Sequence, residues 1–173
     1  TTVVNGEFDT ADYGNSGSGI VVKLGSVIGG NLGAGTYGGI VTGGVNGGQA
    51  LDGLGGTDTL FNIDIVVGSA YNDILVGGSN SQTFNGTWFE SFVGGAGNDF
   101  IAGGMTAGAY LYDFDRVDYS GATAAINVNF NTGVATGDAS VGTDTLVDIN
   151  MVLGSAYNDT LTGGNALNDN FAE

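Results

Sequence analysis

"GTDTLFNIDIVVGSAYNDILVGG" spans residues 56–78, and the chain writes it again as "GTDTLVDINMVLGSAYNDTLTGG" at 142–164. Sixteen of the 23 positions are identical and "GSAYND" is unbroken. The changes are mild: Phe61 against Val147, Asn62 against Asp148, Asp64 against Asn150, Val67 against Leu153. Such a repeat defines a unit that buries its apolar face only by stacking on a neighbour. A second pair lies upstream. "FDTADYG" (8–14) matches "FDRVDYS" (114–120), and each leads into a short alternating stretch, "IVVKL" (20–24) and "INVNF" (126–130). Alternation of period two predicts strands with one buried face.

The chain therefore divides in two. Residues 1–113 form a first module, with a Gly-rich insertion at about 25–53 and a run of turns after it, and residues 114–173 form a second. The insertion carries Leu32, Ile40, Val45 and Leu51, so it is expected to form further coils of the same architecture rather than a long exposed loop. Gly accounts for 35 of 173 residues and Pro is absent. Glycine clusters and β-branched runs interrupt every window long enough for a helix, so the fold class is all-β, a solenoid of very short strands joined by glycine turns. Thr1 opens the chain without an initiator Met, as expected of a processed or excised product or of one exported without a cleaved leader.

Charge narrows the partners. Asp and Glu number 18 against 2 Lys and Arg, a net charge of −16. Nucleic acid and anionic membrane are poor partners for that surface, no apolar run is long enough to insert in a membrane, and metal cations are the natural counter-charge. Of the acids 15 are Asp, whose short arm suits tight turns and compact oxygen cages. Without His or Cys there is no zinc site of the usual kind and no usual acyl-transfer base. Arg116 and Lys23 are too few cations for a polyuronate-cleaving site, so no enzyme activity is expected.

Glycine pairs recur on a near-nine-residue beat, and between them lie Asp-x-apolar units: Asp58/Leu60, Asp64/Val66, Asp73/Leu75, Asp99/Ile101, Asp144/Leu146, Asp159/Leu161 and Asp169/Phe171. Glycines before an Asp allow left-handed backbone, so a turn can curl and aim its carbonyls inward. Calcium takes six to eight oxygens, which two stacked turns could supply together. The competing reading of each Asp is an Asx-turn, in which the carboxylate caps its own backbone. Tyr71 and Tyr157 read as aromatic covers, and "TWFESF" (87–92) as core, an inter-module wedge or a self-association face.

"GGAGNDFIA" (94–102) resembles the Gly-Gly-x-Gly-x-Asp-x-apolar-x repeat of the RTX, or hemolysin-type, calcium-binding proteins, and the duplicated 23-residue units look like segments that introduce such repeats. The resemblance implies a right-handed parallel β-roll, a β-solenoid with several bound Ca2+ ions, in a protein that is secreted, extracellular or on a bacterial cell surface. Carried over by position, Asp99 with Gly94, Gly95 and Gly97 makes the one full motif; Asp73 with Gly68 and Asp159 with Gly154 match with Tyr in place of the third glycine. Asp58, Asp64, Asp144 and Asp169 match more loosely, and Glu90 stands one place early in the turn 86–91. The expected role is a non-catalytic calcium-binding building block of an adhesin, surface layer or biofilm matrix filament. Its partner is another copy, joined end to end as a homo-oligomer or fibre. The alternative is a β-roll or secretion module appended to a secreted epimerase, lipase, protease or toxin.

Overall fold

The structure, a computed structural model, describes residues 8–25, 35–37, 40–42, 45–78, 83–84, 87–104 and 113–164. Among them there is strand, turn and no helix. Five parallel strands make sheet A, in the order β1 (Thr10–Asp12), β7 (Ile65–Val67), β10 (Thr87–Val93), β12 (Asp113–Asp118) and β16 (Met151–Leu153). The short β9 (Thr83–Phe84) pairs antiparallel to the start of β10. Nine strands make sheet B, in the order β6 (Thr57–Thr59), β5 (Gln49–Leu51), β2 (Val21–Lys23), β8 (Ile74–Val76), β11 (Phe100–Ala102), β15 (Thr143–Val147), β14 (Val134–Thr136), β13 (Asn127–Asn129) and β17 (Thr160–Thr162).

The right-handed parallel β-roll is not what forms. A roll requires each strand to cross to the opposite sheet, so that both sheets are parallel throughout. Here sheet B is mixed: β2–β5, β5–β6, β13–β14 and β14–β15 are antiparallel pairs. The architecture is a two-sheet sandwich with a parallel layer facing a larger mixed one. Local turn chemistry explains the difference. Gly133, between β13 and β14, lies at φ 64°, the left-handed region that a tight reversal needs, and Gly48, at φ 73°, holds the turn that leads into β5. Asp52 Oδ1 accepts the N–H groups of Leu54 and Gly56, and Asp138 Oδ1 accepts that of Ser140, closing the next reversal in each module as an Asx-turn. The strand that follows therefore folds back beside its predecessor.

The insertion falls in the connection between β2 and β5. Its described part includes the antiparallel pair β3 (Gly35–Tyr37) and β4 (Ile40–Thr42), and the rest of 26–44 lies outside the described residues.

The core lies between the sheets. Sheet A points Val66, Phe92 and Val117 inward, each opposite the next in register. Sheet B answers with Val22, Leu75, Ile101 and Leu146, likewise in register. All but Leu146 are fully buried. β10 takes the wedge position of "TWFESF": Phe92 enters the core, while Phe89 stays on the outer face against Phe8 and the Arg116 guanidinium, which lies 5.4 Å from its ring centre.

Candidate functional site

The acids expected to act as ligands line two edges of the sandwich. Along sheet B they form a hydrogen-bonded ladder. Ile20 N–H donates to Asp73 Oδ1 at 2.8 Å, Asp73 N–H to Asp99 Oδ1 at 2.9 Å, and Asp99 N–H to Asp144 Oδ1 at 2.9 Å. A parallel row of asparagines reinforces it, with Asn98 N–H on Asn72 Oδ1 and Thr143 N–H on Asn98 Oδ1. Along sheet A, Asp9 N–H donates to Asp64 Oδ2, Gly78 N–H to both oxygens of Glu90, and Asp115 N–H to Asn150 Oδ1. Asp64, Asp73, Glu90, Asp99 and Asp144 are all buried. Asp169 lies outside the described residues.

The glycine five residues before the Asp now has a reason. A Cβ on Gly68 would come within 2.5 Å of Asp73 Oδ2, and one on Gly154 within 2.5 Å of Asp159 Oδ2; at Gly94 it would overlap Asp99 Oδ2. The carboxylate occupies the place where that side chain would stand. Gly95 and Gly97 do a second job. At φ 94° and 130° they let turn 94–99 press against the backbone of Ser69 and Tyr71 in the turn below.

The two copies make the same bonds. Ser69 N–H and Oγ–H donate to Asp73 at 2.6 and 2.7 Å, and Ser155 N–H and Oγ–H donate to Asp159 at 2.8 and 2.5 Å. Ile126 N–H reaches Asp159 Oδ1 as Ile20 N–H reaches Asp73 Oδ1. Tyr13 OH donates to Asp58 Oδ2 at 3.0 Å, and Tyr119 OH to Asp144 Oδ2 at 2.8 Å. Asn62 and Asp148 share a φ of 52°. Sequence reasoning missed Ser69, Ser155, Tyr13 and Tyr119, although each recurs with its Asp at a matching place in both copies. Tyr71 and Tyr157 are about half exposed, at 49% and 54%.

Comparison with known protein families, characterised proteins and solved structures returns no match. Function therefore rests on the site's own geometry.

The fit to calcium can be tested on the donors. Asp73 already accepts three N–H or O–H donors, so its surroundings present hydrogens, whereas a calcium cage presents oxygens. Asp64 in one copy is Asn150 in the other, and both accept the same backbone N–H. A neutral amide performs that job as well as a carboxylate. Among the described residues no three of Asp, Glu, His or Cys gather as a metal-holding group. At Asp73 and at the Asp64/Asn150 position, the partners are those of a backbone cap. In line with this, Asp64→Asn should change stability by no more than about 1 kcal/mol, read from urea unfolding; a loss several times larger would assign the charge itself a role.

Asp99 differs from the rest. It is 1% exposed, and its Oδ2 lies against Gly94 and has no hydrogen-bond partner. Burial, then the Asp144 charge and that of Asp73, push its carboxyl up to about 8. Burial likewise raises Asp144 to about 6. Asp159, at the open end, is instead held below the ordinary carboxylate value, first by Ser155 and then by the Ile126 N–H.

Proposed function

We propose that this chain is a non-catalytic structural module, a building block of an extracellular adhesin, surface layer or matrix fibre that extends by stacking its modules end to end. The order of the strands carries the reading. In sheet B the set β6-β5-β2-β8 is followed by β11 and then by its equivalents β15-β14-β13-β17; in sheet A β1-β7 is followed by β10 and then by β12-β16. The registers coincide, since Ala11 opposes Val66 as Val117 opposes Val152. One module thus continues into the next through a single coil, β10–β11. Among the described residues both sheets finish in strands paired on one side only, the usual template for further pairing.

Buried Asp73, Asp99 and Asp144 each accept a backbone N–H from a neighbouring coil, which ties the coils together. An open depression of about 480 Å³ over the stacked turns is lined by Ser18, Gly19, Ala70, Tyr71, Asn72 and Gly97.

Electron microscopy and sedimentation of the pure chain test the reading. Rods that lengthen with concentration are expected, because a heterologous end contact does not close on itself. A monodisperse monomer at high concentration would sink the idea. Because most of the described carboxylates already accept hydrogen bonds, calcium and magnesium should raise the melting temperature alike, as counter-ions to the −16 charge. A saturating gain specific to calcium would restore a cation cage.

A further inference from the structure

The two copies of the 23-residue unit sit in different company, and the difference maps an interface. In the first copy β7 and β8 are covered by β10 and β11. In the second, the equivalent β16 and β17 are, among the described residues, the last strands of their sheets. Leu75 is 0% exposed under Ile101, while its equivalent Leu161 is 50% exposed; Val66 is fully buried under Phe92, while Val152 is only partly covered.

The polar groups repeat the pattern. In the first copy Gly68 N–H donates to Val93 O, Asn72 Oδ1 accepts Asn98 N–H, Asp73 N–H donates to Asp99 Oδ1, and Asp73 O accepts Phe100 N–H. Their counterparts Gly154 N–H, Asn158 Oδ1, Asp159 N–H and Asp159 O make none of these bonds among the described residues. Because the counterparts lie in the same conserved turn, the bare end is chemically matched to whatever resembles β10–β11.

We propose, resting on the stacking role above, that the β16/β17 end is a docking edge for one kind of partner. That partner is a parallel strand–turn–strand arch from another chain with the chemistry of residues 92–101, "FVGGAGNDFI". The arch places an aromatic residue over Val152 and an aliphatic one over Leu161. Its Gly-Gly-x-Gly turn approaches Ser155 and Tyr157 closely, and its Asp takes the Asp159 N–H. The occupant is specified by an interface the molecule already contains, made by a nearly identical sequence.

The test adds a labelled peptide of residues 87–104 to the full-length protein. Binding is read by fluorescence anisotropy, and its place by hydrogen exchange. Saturable binding is expected, with new protection at the amides of Gly154 and Asp159. The peptide changes Asp99→Ala and Ile101→Asp should each weaken binding at least about tenfold, because each removes a matched group from a desolvated contact. On the protein side Leu161→Lys should weaken it similarly. Leu161 is half exposed, so this variant should keep the wild-type circular dichroism and melting. No binding, equal binding of a scrambled peptide, protection confined to another edge, or protection of Gly154 and Asp159 in the monomeric protein, at concentrations where no rods form and before any peptide is added, would each overturn the assignment. Rods that form while the peptide fails to bind would overturn this interface and leave the stacking role standing; peptide binding without rods would do the reverse.

Discussion

Asp73→Ala is expected to remove about 3–5 kcal/mol of folding stability. The carboxylate accepts the Ile20 N–H, the Ser69 N–H and the Ser69 hydroxyl, and both residues are buried. Alanine leaves these donors without partners, and a buried orphan costs on the order of 1–3 kcal/mol each. Against a total stability of about 5–15 kcal/mol, the variant should be partly unfolded at 37 °C. Asp73→Asn should be far milder, since the amide oxygen can still accept and burial already raises the Asp73 pKa. Asp159→Ala provides the control. It removes the same three bonds in the same local sequence, but at a carboxylate that is only partly buried, so its loss should be smaller than that of Asp73→Ala. Equal losses in urea unfolding would show that burial of the ladder is not what stabilises it.

Stability should also fall as pH rises from about 4 to 8, the reverse of the usual behaviour of salt-bridged acids. Asp99 binds its proton more tightly in the folded chain, near pH 8, than in the unfolded chain, near the ordinary carboxylate value. Its contribution is therefore complete below about pH 4 and is lost as pH rises through 8; Asp144 adds a similar loss that ends near 6. Asp159 and Asp138 act oppositely. Serine hydroxyls hold their folded pKa values down, so the stability they contribute is present above the ordinary carboxylate range and is lost as pH falls through the folded value. A maximum in mild acid follows. Asp99→Asn should flatten the upper limb. At pH 8 it is expected to be more stable by about 1–3 kcal/mol, less than the full shift because the new amide must sit against Gly94. At roughly 2–4 °C per kcal/mol for a chain of this size, scanning calorimetry at pH 5 and pH 8 resolves the change. A melting temperature with the same pH slope in both proteins would mean that general repulsion among the acids, and not Asp99, sets the profile.

Much of the candidate site was legible in the residues, although its chemistry was not. The i, i+5 spacing of Gly68 and Asp73, of Gly94 and Asp99, and of Gly154 and Asp159 marked turns in which backbone and carboxylate share a tight space. The same spacing suits a calcium turn and an Asx cap, because both need glycine conformations and a short acid. What separates them is the group facing the carboxylate. For Asp73 that group is the N–H of Ile20, 53 residues earlier, and for Asp99 the N–H of Asp73, 26 residues earlier. The exchange of Asp64 for Asn150 between copies was the best available sign of a cap, since an amide substitutes readily as a hydrogen-bond acceptor and poorly as a charged ligand.

The amino-acid sequence by itself determined that the chain is all-β and that it contains two tandem copies of one unit. These follow from local properties: glycine turns, period-two alternation and literal repetition. Tertiary structure alone decided whether a strand crosses to the other sheet or folds back beside its predecessor, and so replaced the expected parallel roll with a sandwich whose second sheet is mixed. It also decided that Leu75 is sealed and Leu161 half open, and that Asp144 is buried while its twin Asp58 is exposed. Identical segments cannot encode different burial locally. Burial belongs to whichever coil stacks above, and that coil is chosen by pairing and packing across the whole chain.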